Sequence, residues 1–294
     1  MAKKQIIIDT DIGDDVDDAF AIALALVSPE IELMGITTVF KNTYARAELA
    51  LAVLEHYGRT DIPVYAGCGR PLKNQADTAE MPAQHRMIPV KKRDIQPGDA
   101  AEYIISQVRN YPELTVVGIG PLTNLAHAFL KAPEVMKRSR LVLMGGTYNR
   151  MYPEWNILCD PEAAKIVLES GADVIIAGLD VTTKLKLGRE ELAQIHGCSS
   201  DREVFLADLM NIWYERSGAV VLHDPLVVLY MIQPDLLRLA PSNVCVELNG
   251  EATRGLTYRV NDWWGNFESG PVKVAIDADA DAAVSMFMKR VFTA

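Results

Sequence analysis

Ile6-Ile7-Ile8-Asp9-Thr10-Asp11-Ile12-Gly13-Asp14-Asp15-Val16-Asp17-Asp18-Ala19 is the stretch that decides the fold. Three β-branched residues in a row predict a short buried strand. Six carboxylates then fall within ten positions, and Ala19, Phe20, Ala23, Leu24 and Leu26 continue with helical spacing. So many acids at one strand–helix junction repel one another and raise some of their pKa values. A hard cation relieves this, and Ca²⁺ or Mg²⁺ takes carboxylate oxygens. The competing reading is a solvated acidic first turn favoured by the helix dipole. An EF-hand loop does not fit, because counting from Asp9 puts Gly13 at the third ligand position and Phe20 at the closing one. A phosphatase opening on a strand and Asp-x-Asp would carry a Thr where Gly13 stands.

Composition narrows the class. The chain has 294 residues, 49% of them hydrophobic, enough for a sizeable core in one large α/β domain or two small ones, and the expectation is a single domain spanning 1–294. A net charge of −10 argues against a nucleic-acid surface. Lys91-Lys92-Arg93, the dense basic run, reads as a solvated loop. Cys68, Cys159, Cys198 and Cys245 are widely spaced and fit neither a zinc pattern nor a redox pair, so they read as free thiols in a reducing compartment. With no signal-like segment and no apolar run of about 18 residues, the expectation is a cytoplasmic protein without membrane contact.

Strand-like runs at Ile6–Ile8, Ile31–Phe40, Leu114–Ile119, Leu141–Met144 and Val174–Ala177 alternate with helical patterns around Asp18–Val27, Tyr44–His56, Ala100–Val108, Leu122–Leu130 and Pro161–Glu169. This alternation predicts an open, mostly parallel Rossmann-like sheet with helices on both faces. Arg70–Gly98 is long and weakly periodic, the mark of a functional loop. Helical patterns at Glu203–Ile212 and Leu226–Met231 precede β-like runs at Val244–Leu248, Gly255–Val260 and Val272–Ile276 and a closing helix. These runs predict a small antiparallel extension near the C-terminus. Ligands of open α/β sheets bind beyond the carboxyl ends of the strands. Asp9 and Asp11, Lys41 and Asn42, Ile119-Gly120, Met144-Gly145-Gly146 and Asp180 all fall there.

With these residues in view, the chain resembles the nucleoside hydrolase (nucleoside N-ribohydrolase) family of the inosine-uridine preferring type. Asp9-Thr10-Asp11-Ile12-Gly13 with Asp17-Asp18-Ala19 carries most of the likeness. Gly120-Pro121-Leu122-Thr123-Asn124, Leu143-Met144-Gly145-Gly146, Glu154-Trp155-Asn156 with Asp160-Pro161-Glu162-Ala163-Ala164, and His223-Asp224-Pro225 follow in the family's order. The resemblance implies a Ca²⁺-dependent hydrolase that splits ribonucleosides into ribose and free base in cytoplasmic purine and pyrimidine salvage. It also implies a homo-oligomer, dimer or tetramer, whose partner is a small nucleoside. Asp11 resembles the metal-bound aspartate that takes the proton from the nucleophilic water, and Asp18 the bidentate metal ligand. Ile119 stands where the family offers a backbone carbonyl to the ion, and Asp224 matches the late ligand. Asp17 matches the group gripping ribose hydroxyls. Asn42, Met144, Glu154 and Asn156 match positions lining the ribose, and His223 the histidine that protonates the departing base.

Two departures from the family pattern stand out. Asp14-Asp15-Val16 occupy the place of one residue, so Asp14 and Asp15 remain alternatives to Asp17. The family's His-Gly-x-x-Gly-Leu block has no counterpart between Asn74 and Gly98, where His85 stands in Gln-His-Arg-Met. Base preference therefore stays open. Two other functions are compatible with the acidic cluster: a Mg²⁺-dependent phosphohydrolase using Asp9 or Asp11, and a non-catalytic nucleoside- or ribose-binding protein of the same fold.

Several local readings are structural. Asp224-Pro225 and Asp160-Pro161 each have the form of a helix N-cap followed by Pro at N1; for Asp224 a cap and a ligand can be one residue, and for Asp160 the cap is the reading kept. Glu154 and Asn156, two apart, share one side of an extended segment, which suits hydroxyl-binding. Trp155, Trp213, Trp263 and Trp264 read as core or pocket wall.

Overall fold

The computed structural model describes residues 3–292. The opening run forms β1 (Lys4–Thr10). Then come β2 (Ile31–Thr38), β3 (Val64–Ala66), β4 (Thr115–Gly118), β5 (Arg140–Met144) and β6 (Asp173–Ala177). The last third adds β7 (Leu237–Ser242), β8 (Val244–Val246), β9 (Thr257–Arg259) and β10 (Val272–Ala278). Ile6 and Ile8 pack into one core layer and Ile7 into the other. Successive strand residues point to opposite faces, so a strand covered on both sides is apolar at every position.

Eight strands make one sheet in the order β3-β2-β1-β4-β5-β6-β10-β7. Neighbours run parallel except β7, which is antiparallel to β10 at the edge. The connecting helices are α1 (Asp17–Val27), α2 (Thr43–His56), α3 (Ala100–Asn110), α4 (Thr123–Lys131) and α5 (Pro133–Met136). Next are α6 (Trp155–Cys159), α7 (Pro161–Leu168), α8 (Leu179–Thr182) and α9 (Arg189–Gly197). The chain closes with α10 (Asp201–Ser217), α11 (His223–Ile232) and α12 (Ala280–Val291). Residues of α1, α2, α10, α11 and α12 share one core layer, and those of α3, α4 and α7 share the other. The mostly parallel α/β architecture is the one the alternating pattern predicts.

The antiparallel part is divided in two. β8 and β9 pair with each other in a separate two-stranded sheet, while β7 supplies the edge of the main one. β7 escapes the pattern because Pro241 interrupts it, and an edge strand tolerates proline. β3 is too short to leave a periodic signal. The basic run is not simply solvated: Lys91 pairs with Glu55 at 2.9 Å, and Arg93 folds onto the same carboxylate at 3.4 Å. The four cysteines are free, and among the described residues no helix is long and apolar enough to cross a membrane.

Candidate active site

The chain runs from β1 outward to β2 and β3, then returns to lay β4 on the other side of β1. Strand order reverses there, and this is where open α/β sheets leave a crevice. A cavity of about 520 Å³ occupies it, a volume suited to a small ligand. Asp11 beyond β1, Ile119 beyond β4 and Met144 at the end of β5 line it. Gly120 allows the β4 end to come this close, because a Cβ there would sit 2.9 Å from both the amide nitrogen and Oδ1 of Asp11.

The floor is acidic. Asp17 and Asp18 open α1, Asp224 lies in the first turn of α11, and one oxygen from each lies within 4.8 Å of the others. All three are buried. Burial pushes each carboxyl well above its ordinary range, and the neighbouring carboxylates push further. Thr10 donates its hydroxyl to Asp18. Burial also raises Asp11, to about 6, against the pull of the Arg46 guanidinium. An oxygen-only donor set of this charge could hold a hard metal ion.

Asp224 is not the helix cap its Asp-Pro context suggested. The helix begins at His223, with no side-chain cap, so Asp224 sits within the first turn and its carboxylate is left for the cluster. Asp160 does cap, accepting from the Ala163 amide at 3.1 Å. Among the alternatives to Asp17, Asp14 turns to Arg46 at 3.0 Å. Asp15 lines the cavity, raised by burial to about 7. Only Asp17 of the three joins Asp18 and Asp224. Asp9 stays out of the cavity wall. It is fully buried, and one oxygen accepts from Thr37 at 2.6 Å and Asn124 at 2.7 Å, so it braces the strand end.

Glu154, Asn156 and Met144 also line the cavity. Glu154 and Asn156 are not on an extended segment. Glu154 caps α6, its carboxylate accepting from the amides of Asn156 (2.8 Å), Ile157 (3.1 Å) and Gly146 (3.0 Å). Three N–H donors favour the ionised form and oppose the upward push of burial on Glu154. Asn156 donates to the Ile119 carbonyl at 3.0 Å, which leaves that oxygen a second lone pair. Asn42 does not reach the cavity wall. It caps α2 through Ala45 and contacts the Met81 sulfur at 3.2 Å.

His223 lines the cavity as well. Its Nδ1 lies 2.7 Å from the Thr182 hydroxyl, and burial holds the ring neutral by lowering its pKa to about 4. Trp155 and Trp213 also line the cavity, whereas Trp263 and Trp264 are 93% and 83% exposed, neither core nor pocket. The long 70–98 segment covers part of the site with Glu80, Met81 and Ala83. It is tethered by the Gln84 amide to the Gly13 carbonyl at 2.8 Å, and by His85 to Glu48 at 2.7 Å.

A sequence model of the inosine-uridine preferring nucleoside hydrolase family matches residues 6–285. The chain belongs to the nucleoside hydrolase family. It is 34% identical to probable uridine nucleosidase 2 of Arabidopsis thaliana, covering 98% of this chain and 97% of that one. It is 35% identical to the non-specific ribonucleoside hydrolase RihC of Salmonella typhi, covering 95% of each. The solved structure of a purine-preferring ribonucleoside hydrolase from Gardnerella vaginalis superposes with a TM-score of 0.87 at 34% identity, over 98% of both chains. Their names differ in the base preferred, so membership fixes the hydrolase chemistry and leaves the base open.

Within this nucleoside hydrolase, sequence reasoning missed several wall residues. Met81, Leu179 and Arg216 carry no motif and reach the cavity only through tertiary packing. Lys41 had one legible signal, its place just past a strand end. With Phe40 it adopts left-handed backbone, φ 68° for Phe40 and 56° for Lys41. Such conformations cost about 1–3 kcal/mol each in non-glycine residues and cluster at functional sites.

Proposed function

We propose that this chain hydrolyses the N-glycosidic bond of ribonucleosides, giving ribose and the free base, with Ca²⁺ held at the acidic floor. The observation that carries the reading is the convergence of Asp17, Asp18 and Asp224 within 4.8 Å in a cavity also lined by Asp11 and His223. Buried carboxylates this close call for a counter-charge, and their oxygens suit Ca²⁺. Asp11, Asp18, Asp224 and the Ile119 carbonyl would hold the ion, with Asp17 beside them to grip ribose hydroxyls. Bound there, the ion supplies positive charge that orients the hydroxyls and eases deprotonation of the attacking water.

The chain's own groups do the rest. Asp11, which the Arg46 guanidinium favours as the carboxylate against the upward push of burial, accepts the water proton. Attack from the face opposite the leaving base inverts the anomeric carbon. Glu154 and the carboxylate floor favour the positive charge that develops on the ribose. Asn156 fixes the Ile119 carbonyl. His223 is neutral in the free protein, so it takes up a proton from solvent as negative charge builds on the departing base and, as the imidazolium, passes that proton to the base; Thr182 holds its ring in place.

The test is a panel of purine and pyrimidine ribonucleosides with Ca²⁺ and with chelator, scored for free ribose. Ribose release that stops on chelation is the expected result. Phosphate release from phosphoesters, or tight nucleoside binding without product, would replace this reading.

A further inference from the structure

Arg46 is the bulkiest fully buried side chain among the described residues, 1% exposed. It projects from the first turn of α2 and spends its donors mostly on main chain. Nε donates to the Phe40 carbonyl at 2.9 Å, and Nη1 to the Ile12 carbonyl at 2.9 Å and to the Asp11 carbonyl. Nη2 reaches Asp14 Oδ2 at 3.0 Å. The acceptors belong to two different loops. One follows β1 and carries Asp11; the other follows β2 and carries Phe40, Lys41 and Asn42. Phe40 and Lys41 are the two residues held in left-handed backbone, and Lys41 lines the cavity.

We propose that Arg46 is a positioning residue that locks the loop bearing Asp11 to the loop bearing Lys41, so that both side chains are presented to the cavity in fixed register. It does not line the cavity itself. The planar guanidinium is what the task requires, since its rigid fork spans acceptors on both loops at once. A lysine ammonium keeps the charge but is a single point with three donors. A displacement of about 1 Å at a catalytic group costs on the order of 10²-fold in rate. The inference rests on the reading of this cavity as the hydrolytic site.

The experiment compares Arg46→Lys and Arg46→Ala with the control Arg59→Lys, whose guanidinium pairs with Asp61 at the surface. Steady-state kinetics on uridine and inosine are read alongside Ca²⁺-dependent thermal melting. Arg46→Lys is expected to melt cooperatively, with kcat down about 10²-fold and KM changed less than about threefold. Arg46→Ala should lose at least as much, and Arg59→Lys should match wild type. A kcat for Arg46→Lys within about threefold of wild type overturns the proposal. So does a defect confined to KM, which would mean substrate contact, or unfolding of both Arg46 variants, which would make the residue a determinant of the fold. A wild-type protein that cleaves neither nucleoside counts against the reading of the site, and the Ca²⁺ melts then decide the role of Arg46. A roughly tenfold weaker apparent Ca²⁺ affinity in Arg46→Lys supports it, and an unchanged affinity overturns it.

Discussion

The backbone N–H of Asp224 donates to Oδ2 of Asp17 at 3.2 Å, across 207 positions of sequence. This bond ties the first turn of α11 to the first turn of α1. Both helices thus direct their N-terminal ends, with their partial positive charge, at the same cluster of acids. The relief is incomplete, because burial and mutual repulsion still hold Asp17, Asp18 and Asp224 well above the usual carboxylate range.

Removing metal should make stability fall as pH rises. Asp9 and Asp15 are raised from 3.8 to about 7 and Asp11 to about 6, chiefly by burial. Between those values the folded chain binds more protons than the unfolded one, so stability declines with increasing pH. The contribution is complete below pH 3.8 and is lost as pH rises through 6 to 7. In EDTA, the melting midpoint is expected to be lower at pH 8 than at pH 5.5, and added Ca²⁺ should raise it more at pH 8. Equal midpoints in EDTA at the two pH values would contradict this account.

Asp11→Asn should cut kcat by several orders of magnitude, since it removes the proton acceptor and a candidate ligand together. Asp18→Asn should chiefly weaken Ca²⁺ binding, seen as a higher Ca²⁺ concentration for half-maximal rate. Asp17→Ala should be far more damaging than Asp14→Ala, because Asp14 faces Arg46. The reverse order, with Asp17→Ala silent, would move the ribose-binding role to Asp14 or Asp15.

His223→Ala should slow natural nucleosides by about 10²–10⁴-fold, the usual worth of general-acid help. A p-nitrophenyl riboside, whose leaving group departs without protonation, should be largely spared. Thr182→Val, which removes only the hydroxyl partner of Nδ1, should show a smaller loss of the same selectivity. An equal loss on both substrate types would make His223 structural.

Glu154→Gln exchanges a carboxylate that accepts three backbone N–H groups for an amide with one acceptor oxygen. Leaving a buried donor unpaired costs about 1–3 kcal/mol. A lower melting midpoint together with a lower kcat is expected. A variant that melts like wild type would argue against the cap as the support of this part of the wall.

Much of this protein was legible in its sequence because the information is local. Ile6-Ile7-Ile8 had to be a strand covered on both faces, and an acidic strand–helix junction had to lie at the carboxyl edge of a parallel sheet. The alternation of strands and helices set the layer order. The order of motifs, from Asp11 to Asp224, set the family. The resemblance had placed Asp18 and Asp224 at one site; tertiary structure decided that Asp17, and not Asp14 or Asp15, joins them. Nothing near Asp224 in sequence says that its Asp-Pro form leaves the carboxylate free for Asp17 and Asp18, and the capping reading was equally good chemistry. Asn42 had the right position past a strand end, yet its side chain serves its own helix instead of the cavity. Arg46 lies within the helical pattern around Tyr44–His56, and nothing in that pattern signals that two loops close on it. The reason is physical: local patterns record the periodicity and capping of single elements, whereas burial, desolvation and the spending of hydrogen-bond donors depend on which elements pack together.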